Sequence, residues 1–233
     1  MDISKQVALV TGANRGLGKN LTIELLSRGA KVYAAARNPE SIDIPEAIPI
    51  QLDITNPESV KAALTAAPDV TLLINNAGTS TGASVLTGNM DDIHLEFNTH
   101  VFGTLAMIRA FAPILENNGG GAILNILSVL SWFTSEGTGA YAAAKSAEWS
   151  MTNAIRLSLA SKHIRVSGLH VGYMDTDMTK GLNSAKADPK QIAKIAIDGI
   201  EKDLYEIVAD ERSAIVQKGL AGGVAALYPN LLA

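Results

Sequence analysis

A doubly wound α/β architecture with a mostly parallel, seven-stranded sheet is predicted by three observations. Apolar runs of strand length alternate with segments of helical period along the chain. The first apolar run passes directly into a glycine-rich turn that opens a helix. No repeat, low-complexity stretch or linker breaks the alternation, so the 233 residues read as a single domain.

The elements follow in order. Val7, Ala8, Leu9 and Val10 form a continuous apolar run, as a parallel strand covered on both faces should. Glycines 12, 16 and 18 make a turn, and residues 17–27 place Leu17, Leu21 and Leu25 on one helical face. Gly29 suits the end of that helix. Residues 31–36 read as a second strand, 38–49 as a proline-punctuated loop, and 50–54 as a third strand. Pro57 with Glu58 opens a helix, and 70–74 is a fourth strand. One long helix is predicted over 90–116, with Pro113 ending or kinking it. Three glycines at 119–121 precede a fifth strand over 122–127. A second long helix spans 139–161, and a sixth strand spans 165–171. A helix over 191–201 and a short strand over 206–208 complete the sheet. Right-handed crossovers place ligands at the carboxyl ends of such strands, in the loops after strands one, four, five and six.

Composition narrows the function. The hydrophobic share is 47% and the charged share 18%, below the ~25% usual for a globular domain. A buried subunit interface and a large core both account for that surplus. The formal net charge is −4 with no basic stripe, which argues against nucleic-acid partners. There is no cysteine for disulfide or thiolate chemistry, and the four histidines lack zinc-ligand spacing, so no metal is expected. Residues 1–6 are too polar for a signal peptide and no apolar run is long enough for a bilayer, so the default expectation is a cytoplasmic protein without membrane contact.

The turn after the first strand carries chemistry. Glycines there permit a tight bend, let backbone N–H groups approach a pyrophosphate and aim a helix N-terminus at it. The spacing, Thr11-Gly12-Ala13-Asn14-Arg15-Gly16-Leu17-Gly18, is Thr-Gly-x-x-x-Gly-x-Gly. Tyr141 and Lys145 stand four apart on the second long helix and so share a face. An ammonium beside a phenol favours the phenolate, which predicts a lowered Tyr141 pKa and a general acid/base role. Ser128 lies thirteen residues before Tyr141.

These motifs, with Asn75-Asn76-Ala77-Gly78 between them, resemble the short-chain dehydrogenase/reductase family, in its carbonyl reductase or ketoreductase form. The resemblance runs from Thr11 to Thr176 and implies a Rossmann-type sheet, hydride transfer between NAD(P)H and a ketone or secondary alcohol, and a homodimer or homotetramer. It assigns the substrate oxygen to Ser128, with Ser131 as second choice, and makes Tyr141 the proton donor. Lys145 is given to the nicotinamide ribose. Cofactor contacts fall to Gly12, Asn14, Arg15, Gly16, Leu17, Gly18, Asp53, Ile54, Asn76, Ala77, Gly78, Tyr141, Lys145, Gly172 and Thr176. Thr176 could equally cap the turn that follows it.

The end of the second strand reads Ala35-Ala36-Arg37-Asn38, with no acid for an NAD ribose. Arg37 and Arg15 suit a 2′-phosphate, so NADP is favoured and NAD remains the alternative, with Arg37 stacking on adenine.

The chain departs from the family where Gly103 sets the register of a relay asparagine: three residues earlier stands His100. Asn98 is rotated by about 200° on an α-helix and should point away. Either His100 replaces the asparagine, or Lys145 exchanges protons with solvent directly, or His100 only bonds a backbone carbonyl. Trp149, Met151 and Ile155 are candidate interface residues, or else core. Trp132, Phe133 and Tyr173 suggest an apolar pocket for aryl or alkyl ketones, with specificity in 79–86 and 178–189 and a small lid after Thr176. Two other functions use the same fold: a non-catalytic redox sensor, and a lyase or dehalogenase. Retention of Ser128, Tyr141 and Lys145 argues against the first, and the intact glycine turn against the second.

Overall fold

A computed structural model describes residues 1–232. Seven parallel strands form one sheet in the order β3-β2-β1-β4-β5-β6-β7. They are β1 (Val7–Thr11), β2 (Lys31–Ala36), β3 (Ile48–Gln51), β4 (Leu72–Asn75), β5 (Gly121–Ile126), β6 (Ile164–His170) and β7 (Glu206–Val208). The order reverses between β1 and β4, and that switch point opens a cleft at the strands' carboxyl ends.

Strand alternation builds both halves of the core. In β1, Ala8 and Val10 face helices α1 (Gly16–Ser27) and α6 (Pro189–Glu201), whereas Leu9 faces α2 (Pro57–Ala66) and α4 (Thr104–Asn117). Helix α5 (Gly139–Leu159) packs on β6. Asn125 on β5 accepts from Asn75 Nδ2 at 2.8 Å and donates to Thr152 Oγ1 at 2.9 Å, which fastens β4, β5 and α5 together inside the core. No helix among the described residues is long and apolar enough to cross a membrane.

Four expectations are corrected. The third strand begins at Ile48 rather than residue 50 and ends at Gln51. Asp53 leaves the sheet because its carboxylate accepts from the Thr55 N–H and hydroxyl, and its own N–H goes to Ser59. The single long helix over 90–116 is two helices, α3 (Met90–Phe97) and α4, joined by a π-helical turn, Asn98–Gly103. Helix α4 runs through Pro113 to Asn117, so Pro113 does not end it. Finally, Glu211–Gly219 forms a further helix, α7, N-capped by Asp210, and a short α8 (Gly223–Leu227) follows it.

Candidate active site

The glycine turn is shaped for an anion. Gly12 and Gly16 have φ of 65° and 55°, the left-handed region that favours glycine. A β-carbon on Gly18 would lie 2.2 Å from the Gly12 carbonyl oxygen, so only glycine lets α1 start there. Arg15 occupies the N-cap without a side-chain cap, which leaves the first N–H groups of α1 free of side-chain acceptors. Leu17 is buried in the core beneath the turn.

The turn is clamped to the end of β4. The Thr11 hydroxyl accepts from the N–H groups of Asn76 and Ala77, at 2.9 and 3.0 Å. Asn76 Nδ2 donates to the Thr11 and Gly12 carbonyls. Asn76 and Ala77 are therefore placed against the cleft chiefly by backbone-directed bonds.

Arg37 and Asp53 line a cavity of about 460 Å³ beside the ends of β2 and β3. Ile54 is buried against Gly103 instead. Asn14 Nδ2 donates to Ser41 Oγ. Arg15 does not face that cavity: its guanidinium pairs at 3.1 Å with Asp177 across the cleft, and both side chains are exposed. After β6, the Gly172 N–H donates to Asp210, and Thr176 occupies the N-cap of a short turn, Asp177–Thr179, opposite Gly16.

Ser128, Tyr141 and Lys145 meet at the carboxyl end of β5. Ser128 Oγ accepts from the Leu130 N–H at 3.1 Å. Ser131 is turned away, since its hydroxyl accepts from the Ser128 N–H. Lys145 is buried and donates at 2.7 Å both to the Ile126 carbonyl and to Glu148.

The expected lowering of the Tyr141 pKa is overturned. Although Tyr141 as a whole is only half-buried, desolvation in the cluster pushes the phenol up, and the pull of the Lys145 ammonium is opposed by Glu148 and Glu96. Burial also works against the Lys145 charge, but Glu148, Tyr141 and Glu96 outweigh it and hold the ammonium above its usual value.

His100 lies in this cluster and Asn98 is exposed. The His100 ring stands edge-on to Tyr141, with centroids 5.2 Å apart. Its Nε2 is 2.8 Å from the Thr79 carbonyl and 3.4 Å from the Thr79 N–H, and the shorter contact, to an atom that only accepts, assigns the proton to Nε2. Nε2 is also 3.4 Å from Glu96 Oε2. Nδ1 is 4.0 Å from Glu148 Oε2 and hydrogen-bonds to no described residue. A β-carbon on Gly78 would lie 2.8 Å from His100 Cε1, so Gly78 makes room for the ring.

Glu96 and Glu148 are the residues that sequence reasoning missed. Glu96 accepts from the Thr81 N–H and hydroxyl, at 2.6 and 3.0 Å; Glu148 receives the Thr104 hydroxyl at 3.4 Å. Their spacing to His100 and Lys145, four and three residues, was the available signal. The same spacing is commonplace on exposed helix faces.

The candidate pocket and interface residues fall in several places. Trp132 is buried and stacks on His170 at 3.7 Å, and Trp149 stands edge-on to Trp132. Ile155 packs on the core. Trp132 and Phe133 do border a cavity of about 350 Å³, but its α5 wall is Ala142, Ala143 and Ser146 rather than Tyr141. Tyr173 lies under Arg212.

Comparison with known proteins agrees with this geometry. The family model described as short chain dehydrogenase matches residues 6–187. The chain is 30% identical over 216 residues to the 3-oxoacyl-(acyl-carrier-protein) reductase of Vibrio cholerae, covering 83% of this chain and 88% of that protein. It is 27% identical over 231 residues to an NADP-dependent 3-hydroxy acid dehydrogenase of Schizosaccharomyces pombe, covering 87% and 89%. Among solved structures, a short chain dehydrogenase from Burkholderia cenocepacia in complex with NADP superposes with a TM-score of 0.95 at 38% identity, over the full length of both chains. A glycine cradle at the switch point, a serine, tyrosine and lysine at the end of β5, and a family match over most of the sequence place this chain in the short-chain dehydrogenase family.

Proposed function

We propose that this chain is a carbonyl reductase that prefers NADP and acts on ketones, with Tyr141 as the acid. The observation that carries the reading is the pairing of Tyr141 and Lys145 beside Ser128, in a site that keeps the phenol protonated. Uncapped N–H groups at the start of α1 and the φ of Gly16 fit a pyrophosphate. Arg37 beside its cavity, with no acid ending β2, fits a 2′-phosphate, and the Burkholderia cenocepacia relative was solved in complex with NADP. NAD is the weaker fit by the same argument.

When bound, the nicotinamide exchanges a hydride with the substrate carbon. The chain's own residues handle the oxygen. In this reading Ser128 Oγ bonds a ketone oxygen, and Tyr141 gives that oxygen its proton as negative charge develops. Lys145, fixed by the Ile126 carbonyl and Glu148, has a third N–H directed by neither of them. That donor is available to a ribose hydroxyl and to the tyrosinate left after transfer. The His100 ring, edge-on to Tyr141 and with Nδ1 unpartnered among the described residues, is the group through which we infer that a proton returns to Tyr141.

The test follows NADPH and NADH oxidation with an aryl ketone in the native chain and in Tyr141→Phe. Turnover with a higher kcat/KM for NADPH, reduced at least ~100-fold in Tyr141→Phe with cofactor binding intact, is expected for loss of a general acid. Equal turnover in the variant sinks the assignment of Tyr141, and a preference for NADH sinks that of Arg37.

A further inference from the structure

We propose that Glu148, with Glu96 behind it, is a positioning residue that neutralises Lys145, keeps Tyr141 a neutral acid and so biases the site toward carbonyl reduction. The directional part rests on the reductase reading above; the charge coupling does not.

Geometry carries the coupling. Glu148 Oε2 lies 2.7 Å from Lys145 Nζ, and the two residues are 1% and 5% exposed. A pair on a helix surface is screened and contributes little. Here both side chains are buried, so solvent screens the carboxylate much less and it acts more strongly on its neighbours. Glu96 is wholly buried and adds a second carboxylate to the same cluster. Lys145 thus touches one acid, and the second lies beside His100 in the same cluster. The groups around Tyr141 are Lys145 and Glu148 from α5, Glu96 from α3, His100 from the π-turn and Ser128 at the end of β5. Glu148 is also held by Thr104, and Glu96 by Thr81, so neither is free to swing away to solvent.

The sign is fixed by the cluster as a whole. Tyr141 and Lys145 release their first proton as a coupled pair, whichever of them is written as losing it. Removing one negative charge beside the pair makes that release easier. The midpoint must therefore fall. Reduction, which needs the proton present, then loses its alkaline limb at lower pH. Alcohol oxidation, which needs the proton absent, starts at lower pH.

The experiment titrates phenolate absorbance as the difference between a chain and the same chain carrying Tyr141→Phe, with neither cofactor nor turnover required. It is run on the native chain, Glu148→Gln and Glu148→Asp, and pH–rate profiles are recorded for both directions. We expect the Glu148→Gln midpoint to fall by about one pH unit or more, which is about tenfold in the ionised fraction below the midpoint. Glu148→Asp, which keeps the charge, should stay near the native midpoint. A purely structural role predicts lost activity at an unmoved midpoint, and superimposable titrations of native chain and Glu148→Gln overturn the proposal. If Glu148→Gln does not fold, Glu96→Gln replaces it, with a smaller fall expected and no fall counting against. A shifted midpoint in a chain that reduces no ketone upholds the coupling and removes only the reductase reading.

Discussion

Gly78 shows how a single hydrogen atom in place of a side chain shapes the site. The His100 ring fills the space a methyl group would need, and it is pinned there by the Thr79 carbonyl and Glu96. Gly78→Ala must displace that ring from its seat beside Tyr141. We expect a stability loss of about 1–3 kcal/mol, the usual range for overpacking, read by urea denaturation. A fall in kcat larger than the fall in cofactor affinity should accompany it. Unchanged stability and turnover would mean that the ring moves freely. At this scale the sequence was informative where chemistry and spacing coincide, as at Gly16, Gly18, Ser128, Tyr141 and Lys145. It was uninformative at Glu96 and Glu148, because a helical acid near a lysine or histidine looks the same whether its face meets water or core. The Tyr141 ionisation went the other way for that reason: the nearest charge was legible and its counter-charges were not.

The elements were legible wherever local pattern decides them. β1, the glycine turn and α1 are set by apolar runs and glycines within a few residues of one another. The π-turn Asn98–Gly103 is different. It forms where Gly103 meets Ile54 from the loop after β3 and His100 meets Gly78 from the loop after β4, and those partners are distant in sequence. Helical periodicity alone therefore predicted an uninterrupted helix. Wide turns of this kind recur at functional sites. α7 was missed because its exposed, polar residues give no core stripe, and its signal is the Asp210 cap. Between elements, the Asn75–Asn125–Thr152 chain is the buried polar link. Asn125→Ala would strand the Asn75 amide without water, while the Thr152 hydroxyl keeps its bond to the Glu148 carbonyl. Such an orphaned group costs about 1–3 kcal/mol, so the variant should unfold at markedly lower urea with an unchanged m-value. A loss below about 1 kcal/mol would mean that the link is replaceable.

For the whole molecule, acid should be the weak side. Glu206 is half-buried, and burial pushes its carboxyl up, but His170 at 2.7 Å and Arg156 at 3.2 Å more than reverse that. Hydrogen bonds from Lys194 and Arg28 lower Asp198, whose ion pair with Arg28 ties α1 to α6. Glu96 is likewise lowered, its burial outweighed by His100 and Thr81. A carboxyl lowered on folding binds protons more readily in the unfolded chain. Its contribution is complete above the unfolded value, about 4, and is lost as pH falls through the folded one. The urea midpoint should thus be flat near neutrality and drop below about pH 4. A midpoint that held steady to pH ~3 would contradict the three shifts together.

The edge strand β3 carries a consequence for self-association. Leu52 N–H bonds to Ala36 on β2, so by strand alternation the nitrogen of residue 49 points outward, and that residue is proline. The outer rim of β3 therefore lacks a donor midway along its four residues and is a poor template for another strand. A sheet continued from one copy of this chain into a second would have to grow from the far rim, where β7 offers Glu206–Val208. The two ends of the sheet are not equivalent, and a mismatched, open-ended stack of sheets is disfavoured by a single missing hydrogen.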